Sequence, residues 1–233
     1  MAEPYLRCPP SWKRATLAPD PSGDLVVRVE TGSTPSTKRP EYWNGDIPWL
    51  TPKEVTDLEG SVFVSRTARS ITKEGLASSA AKLMAPGTVM LTKRAPVGAV
   101  VVNTVPMATN QGFLNFTCGS ALLPAFLAAW LKANRPYLDL IANGSTYPEL
   151  YLSDLFEFEI AVPPIDYQHR VVEAINSFQI VLAMESSLEQ LTASPDELHL
   201  VHAKVRKLRT LRETLLPLLL SGEVAVPAAR KRR

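Results

Sequence analysis

Two histidines come closer than any other residues of the sequence to the spacing of a metal site. His199 and His202 form a His-x-x-His pair, which can bind zinc when both lie on one helical face. No cysteine or carboxylate cluster accompanies them, so we interpret the pair as part of a solvated helix face. Cys8 and Cys118 lie far apart without a Cys-x-x-Cys spacing, which indicates a reduced chain with no disulfide framework.

The motifs of self-contained enzymes are missing. The sequence has no Gly-x-Ser-x-Gly elbow, Walker loop, His-Glu-x-x-His or paired metal carboxylates. An amino-methyltransferase would need a glycine-rich cofactor loop and an Asn/Asp-Pro-Pro-aromatic tetrad, but Pro163-Pro164 stands between Val162 and Ile165. No nuclease-like Pro-Asp…Glu-x-Lys constellation stands out. We therefore expect no catalytic centre, metal or cofactor in this chain.

The charge balance requires any nucleic-acid binding to come from a local patch. The 233 residues carry 25 basic and 23 acidic side chains, a formal net charge of +2. Four of the bases are in the tail, at 230–233, and without them the balance is 21 against 23. We expect this tail to be disordered.

Hydropathy argues against a membrane protein. The longest apolar run, at 121–131, has 11 residues, whereas a helix needs ~20 to cross a bilayer. The N-terminus lacks a basic segment followed by an apolar one, so we expect a cytoplasmic chain.

Before Pro163-Pro164, short apolar runs alternate with turn residues and predict a mixed α/β domain. The turns are expected at Asn44-Gly45, Pro86-Gly87 and Asn143-Gly144. The predicted strands are Leu25–Val29, Val62–Val64, Thr88–Leu91, Ala99–Val102 and Phe156–Val162, and the predicted helices are Thr72–Lys82 and Leu122–Asn134.

Two long helices are predicted after this boundary. Residues 166–191 contain no proline or glycine, and a second helix begins with Ser194 as N-cap and Pro195 as first residue. Pro217 should kink that helix near its end. Apolar residues at heptad-like spacing predict either a coiled coil with another chain or a local helical hairpin. The residues expected to pair are Val171, Ile175, Phe178, Leu182, Leu188, Val205, Leu208 and Leu215.

An ordered series of short motifs runs along the chain. It comprises Gly32–Ser36, Glu41–Lys53, Ile71–Leu76, Ala81–Leu83, Pro86–Val89, Arg94–Gly98, Met107–Phe113, Asn143–Thr146, Val162–Ile165 with Gln168, and Leu218–Gly222. In this order and at these spacings, the chain from about Ser11 to Gly222 resembles the specificity subunit of type I restriction-modification systems.

The resemblance implies a division of labour between subunits. Residues 1–163 would be a target-recognition domain that reads part of a double-stranded DNA site. Residues 164–222 would be a helical region that separates recognition domains and docks modification subunits, and 223–233 the basic tail. The modification subunits would carry S-adenosylmethionine and methylate adenine, and the motor-nuclease (restriction) subunit would use ATP and Mg. The specificity subunit itself would not be a catalyst.

The sequence departs from the family pattern in having one recognition domain and one helical region instead of two of each. It resembles a half-subunit that forms a homodimer and reads two inverted half-sites around a spacer. Alternatively, it is a truncated fragment that needs a complementary half, or a coiled-coil interaction adaptor that no longer reads DNA. A smaller departure is Tyr167, where the family usually has Glu before Gln168.

Candidate DNA contacts follow from the chemistry of phosphates and base edges. Lysines and arginines in loops would bind phosphate, with Lys93-Arg94 the strongest pair. The side-chain amides of Asn110 and Gln111 could pair with adenine, although we favour structural hydrogen bonds for them. The hydroxyls of Ser145 and Thr146 could hold phosphate. The candidates are Lys53, Arg66, Arg69, Lys73, Lys93, Arg94, Asn110, Gln111, Ser145 and Thr146.

We expect the aromatic residues to pack inside the protein and the base contacts to lie in other segments. Tyr42, Trp43 and Trp49 are expected in core and turn packing and not in base stacking. Contacts that read the bases are expected between the shared motifs, for example in 56–69. The target sequence and the spacer length cannot be derived from these residues.

Overall fold

The chain divides into two units. A computed structural model describes residues 8–58, 62–94, 96–142, 148–156, 159–191 and 195–224, and within them the side chains at 179, 181–191, 195–198, 200 and 201 lie outside the description. Of these residues, 13–162 form a mixed α/β unit, whereas 8–12 group with 163–224 in a helical unit. The predicted domain 1–163 includes 8–12, and the structure corrects this by grouping them with the helices.

Ten strands and five helices make up the described part of the α/β unit. In chain order they are β1 (Lys13–Thr16), β2 (Val26–Thr31), β3 (Trp43–Leu50), α1 (Pro52–Asp57), β4 (Phe63–Val64), β5 (Ser70–Ile71), α2 (Lys73–Ala77), β6 (Val89–Thr92), β7 (Val100–Asn103), β8 (Ala108–Thr109), β9 (Phe113–Cys118), α3 (Pro124–Ala133), α4 (Arg135–Ile141), α5 (Leu152–Phe156) and β10 (Glu159–Val162). A 3₁₀ turn, Pro40–Tyr42, precedes β3.

A five-stranded sheet holds most of the core. Its strand order is β2-β9-β6-β7-β4, antiparallel except for the pair of β4 and β7. Every residue of β6 and β7 is buried, as expected for strands rich in valine and leucine that are covered on both faces. Strands β2, β4, β6 and β7 confirm four of the predicted strands to within about two residues at their ends.

Helix α3 packs on this sheet at β6 and β7. Residues 126–131 of the helix are buried, and Pro124 begins it, since a proline at the first helical position leaves no hydrogen bond unmade. At its other end the Asn134 amide donates to the Trp130 carbonyl (2.8 Å). The helix predicted over Leu122–Asn134 is therefore confirmed, slightly shortened.

A second, three-stranded sheet has the order β5-β3-β8. The Asn44-Gly45 pair lies inside β3 and not in the predicted turn between strands. Asn44 adopts φ 62°, and the register with β5 shifts between Trp43 and Ile47, which is a β-bulge. Asparagine tolerates this left-handed conformation, and a Cβ at Gly45 would lie 2.6 Å from the Ile71 carbonyl oxygen.

Helix α2 is shorter than the predicted Thr72–Lys82. The Thr72 hydroxyl accepts a hydrogen bond from the Gly75 amide (3.0 Å) and so caps the first turn. The hydroxyls of Ser78 and Ser79 donate back to the Gly75 carbonyl (3.0 and 3.1 Å). Serines that bond to nearby backbone compete with helix propagation, and this places the end of α2 at Ala77.

The predicted strand Phe156–Val162 begins later than expected. Phe156 ends α5, and β10 begins at Glu159. β10 pairs antiparallel with β1, so the first and last strands of the unit form a separate two-stranded sheet.

The helical unit contains α6 (Ile165–Leu191) and α7 (Pro195–Ser221), which contact one another. Both predicted long helices are confirmed, and α7 continues through Pro217 to Ser221. The predicted cap Ser194 lies outside the described residues. Among the predicted pairing residues, Val171, Ile175 and Val205 are buried, Phe178, Leu208 and Leu215 are half-buried, and the side chains of Leu182 and Leu188 are not described. A single chain thus buries part of the predicted seam.

Residues 8–12 join this unit through Trp12. Its ring packs against Tyr167 with centroids 5.1 Å apart, and the Tyr167 hydroxyl lies 3.1 Å from the Leu219 carbonyl oxygen. Gly222, with φ 75°, ends α7, and a Cβ there would lie 2.8 Å from the Trp12 ring. Tyr167 is therefore part of this junction. None of the described helices is long and apolar enough to cross a bilayer.

Candidate nucleic-acid interface

Two tryptophans of the three-stranded sheet hold the loop 32–36 in place. Trp43 and Trp49 pack edge to face, with ring centroids 5.0 Å apart, and both are buried, as expected from the sequence. Their indole N–H groups donate to backbone carbonyls of the loop, Trp43 to Ser36 (3.2 Å) and Trp49 to Ser33 (3.1 Å). Because a buried indole N–H needs an acceptor, these bonds fix the loop against β3.

Arg69 lies on these tryptophans. Its guanidinium carbon is 3.6 Å from the Trp43 ring centroid and 5.2 Å from that of Trp49. The residue is exposed and forms no ion pair with any described residue. Stacking engages the flat face of a guanidinium and leaves its in-plane N–H donors for an acceptor such as phosphate or a base edge. Arg69 is therefore a cation held in one place.

Glu54 of α1 ties down the loop that carries Arg69. Its carboxylate accepts a hydrogen bond from the Thr51 amide (2.9 Å), which is one half of a capping box. It also accepts from the Thr51 hydroxyl (2.7 Å) and the Ala68 amide (2.6 Å). The Thr67 hydroxyl donates to the Arg69 carbonyl (2.6 Å). One carboxylate thus links the start of a helix to the backbone next to Arg69.

The amides of Asn110 and Gln111 make loop contacts. The Asn110 side-chain oxygen accepts from the Gly112 amide (2.8 Å), and that of Gln111 accepts from the Thr34 hydroxyl (2.7 Å). The Asn110 backbone amide donates to the Leu50 carbonyl (3.2 Å). A bidentate adenine contact needs the side-chain oxygen as well as the NH₂ group, and here both oxygens already have a protein donor.

Lys93 and Arg94 share one carboxylate. The Lys93 Nζ is 3.0 Å from Glu149 Oε1, and the Arg94 Nε is 3.1 Å from Glu149 Oε2. Backbone bonds from the Leu150 amide to the Lys93 carbonyl and from the Lys93 amide to the Gly112 carbonyl (both 2.8 Å) hold this group beside the 110–112 loop. Burial raises the pKa of the Glu149 carboxyl, but the two cations outweigh it and keep the pKa below its ordinary value.

The other candidate cations are unpaired with described residues. Lys53 on α1, Arg66 and Lys73 at the start of α2 are all exposed. A Cβ at Gly112 would lie 2.9 Å from the Pro52 ring, which places Lys53 next to the 110–112 loop. Lys73 lies on a helix that contacts the 3₁₀ turn. Ser145 and Thr146 lie outside the described residues.

The structure thus brings most of the predicted site residues together. We use the term loop cluster for 32–36, 66–69, 93–94, 110–112 and the first turn of α1, which are joined by the contacts above. It contains Lys53, Arg66, Arg69, Lys93, Arg94, Asn110 and Gln111.

Three residues that hold the loop cluster together are absent from the predicted site: Glu54, Thr34 and Glu149. Glu54 has a local signal, since Thr51-x-x-Glu54 is a capping-box pattern. Thr34 and Glu149 have no local sequence signal. The partner of Thr34 is 77 positions away, and the partners of Glu149 lie in another segment of the chain. The described residues contain no group of three metal-ligating side chains, and His199 and His202 are exposed on α7.

Comparisons with known proteins agree on one family. The family model described as the type I restriction modification DNA specificity domain matches residues 23–192. The type I restriction enzyme MjaIX specificity subunit of Methanocaldococcus jannaschii is 40% identical over 155 residues, 66% of this chain and 36% of that subunit. The EcoR124I/EcoR124II specificity subunit of Escherichia coli is 27% identical over 154 residues, 63% of this chain and 37% of that subunit.

Solved structures share the fold. The HsdS subunit from Thermoanaerobacter tengcongensis matches with a TM-score of 0.56 and 20% identity over 95% of this chain and 48% of that chain. A chain from a study of complex assembly in the type I R-M system matches with a TM-score of 0.59 and 20% identity over 95% of this chain and 49% of that one. The chain therefore spans less than half the length of these relatives.

We expect Glu54→Ala to destabilise the loop cluster. The change leaves the amides of Thr51 and Ala68 without their acceptor, which should lower the free energy of unfolding by about 1–3 kcal/mol. Urea denaturation measures this loss, and hydrogen exchange should speed up at the Ala68 amide. The control is Glu74→Ala on α2, an exposed glutamate whose carboxylate forms no hydrogen bond or ion pair with described residues. Equal losses from the two variants would show that Glu54 does not tether the loop.

Proposed function

The chain belongs to the type I restriction-modification DNA specificity family, and on that premise we propose that it reads part of a double-stranded DNA site for a restriction-modification complex. The observation that carries this proposal is the family match over 23–192, a stretch that encloses the whole loop cluster. Within that cluster, exposed cations without an acidic partner are the groups that phosphates attract.

In this proposal the chain recognises the DNA site, and other subunits catalyse methylation and cleavage. Its similar proteins are specificity subunits, which are not themselves enzymes. The modification subunits would carry S-adenosylmethionine and methylate adenine, and the restriction subunit would use ATP and Mg. The helical unit would dock the modification subunits. The complex would work in the cytoplasm, with its DNA.

The contacts to DNA divide by chemistry. Lys53, Arg66 and Lys73 would bind phosphates and fix the position of the chain on the duplex. Arg69 would supply a planar donor held in place by the tryptophans. Asn110 and Gln111 would support the loop, and contacts that read the bases would come from 56–69.

The helices suggest how two chains could read one site. Two copies of the chain would pair through a coiled coil, and each copy would supply one recognition domain and one helical region. Each long helix has 27 residues and is about 40 Å long, or about 12 base pairs of duplex. Two-fold symmetry would give two inverted half-sites around a spacer.

One observation favours two alternatives to the homodimer: a monomeric fragment and an interaction adaptor. Because one chain buries Val171, Ile175 and Val205 by itself, the helical hairpin does not require a second copy. A monomeric fragment that needs a complementary half, or an interaction adaptor without DNA reading, would have the same hairpin. Salt-dependent DNA binding separates the adaptor from the other two, and solution mass separates monomer from dimer.

The test of the proposed function is long-read methylation sequencing of DNA from cells that express the chain with its modification subunit. We expect a new bipartite adenine motif that is absent without the chain. A palindromic motif would support the homodimer, and an asymmetric one would support a complementary recognition half. If both proteins are soluble and no methylated motif appears, the proposal that the chain reads DNA is wrong, and the interaction adaptor is favoured.

We expect Arg69→Ala to weaken DNA binding without unfolding the chain. Loss of one phosphate or base contact should reduce the affinity about three- to tenfold and the salt slope by about one. Arg69→Lys keeps the charge but not the planar fork, so its loss should be smaller. Fluorescence anisotropy at several salt concentrations measures both quantities. Arg14→Ala on β1, another exposed arginine, is the control, and an equal loss there would contradict the assignment.

We expect Phe178→Asp on α6 to break the dimer and DNA binding together, because a carboxylate cannot be buried in an apolar seam. Light scattering gives the mass, and thermal unfolding shows whether the hairpin still forms. Ser177→Asp, at the neighbouring exposed position, should leave both properties intact. A folded Phe178→Asp protein that still dimerises and binds DNA would show that the seam is misassigned.

A further inference from the structure

The cations of the loop cluster differ in their counter-charge. Lys53, Arg66 and Arg69 have no ion pair with described residues, whereas Lys93 and Arg94 are bound to Glu149. The sequence alone marks Lys93-Arg94 as the strongest phosphate-binding pair, yet it is the pair whose charge the fold partly neutralises.

The environment of Glu149 makes this neutralisation effective. The side chains of Lys93 and Glu149 are only 17% and 19% exposed, so water screens their interaction less than it would at an open surface. The backbone bonds on both sides of Lys93 keep Glu149 and the two cations together. Arg94 pairs with Glu149 through its Nε, and its side chain is 51% exposed at the edge of the cluster.

We propose that Glu149 is an affinity-tuning counter-ion, which removes one positive charge from the Lys93-Arg94 pair and weakens its sequence-independent attraction for DNA phosphate. This inference rests on the proposed function. Phosphate contacts raise the affinity for every DNA sequence alike. A carboxylate that offsets one of the two positive charges beside the contact loops therefore lowers the affinity for target and random-sequence DNA alike.

The test is Glu149→Gln in the full chain. Glutamine retains an oxygen that can accept from Lys93 and removes the negative charge. We expect binding to a labelled random-sequence duplex to tighten about three- to tenfold and the salt slope to steepen by about one. The affinity for the target duplex should rise by a similar factor. Glu159→Gln on β10, which removes the same charge from the pair with Arg14, should change neither the affinity nor the slope.

A double-mutant cycle assigns the effect to Arg94. We expect Arg94→Ala to change DNA affinity little in the parent chain and to abolish the gain in the Glu149→Gln background. A strong loss from Arg94→Ala in the parent chain would overturn the inference, because Arg94 would then already contact DNA. The measurement of Arg94→Ala in the parent chain does not depend on whether Glu149→Gln folds.

Other outcomes are equally decisive. A folded Glu149→Gln protein with unchanged or weaker random-sequence binding would show that Glu149 is only a structural ion-pair partner. If the parent chain binds DNA and only this prediction fails, the proposed function stands. If neither the parent chain nor the variant binds DNA at any salt concentration, the proposed function fails and the inference with it.

Discussion

The arrangement of the loop cluster depends on the need of two buried indoles for hydrogen-bond acceptors. Trp43 and Trp49 lie in a sheet too small to bury them by itself, and both direct their N–H groups to carbonyls of the loop 32–36. The same rings provide the surface on which Arg69 stacks. The packing of one aromatic pair therefore determines both the position of a loop and the place of a cation, so the core and the candidate interface cannot be varied independently.

The charge balance of the loop cluster then determines which of its side chains can attract phosphate. A cation with no partner attracts phosphate, whereas one that already shares a carboxylate has less charge to offer. Glu54 and Glu149 are both carboxylates of the cluster, but they act differently. Glu54 accepts only from an amide and a hydroxyl of its own helix cap and from one loop amide, so it positions the backbone and leaves the cations uncompensated.

How far the sequence predicts this structure depends on the range of the interactions. Apolar runs located β6, β7, α3 and both long helices, because burial periodicity is local. Asn44-Gly45 has ordinary turn chemistry, and the prediction of a turn there was wrong. Only the pairing of β3 with β5 shows that the strand continues through these residues with a bulge. The residues of the cluster were mostly found, but their partners were not. Contacts such as that of Thr34 with Gln111 join segments that nothing local relates.

Stacking also bears on how much each cation contributes to binding. A flexible lysine such as Lys53 loses rotamer freedom when it contacts phosphate, at a cost of about 0.5–1.5 kcal/mol. The guanidinium of Arg69 is already ordered against Trp43 in the free chain, so most of that loss occurs during folding. A contact of equal strength is then worth more from Arg69 than from Lys53. The affinity of such an interface is set by the cations that are fixed before DNA arrives, and less by their total number.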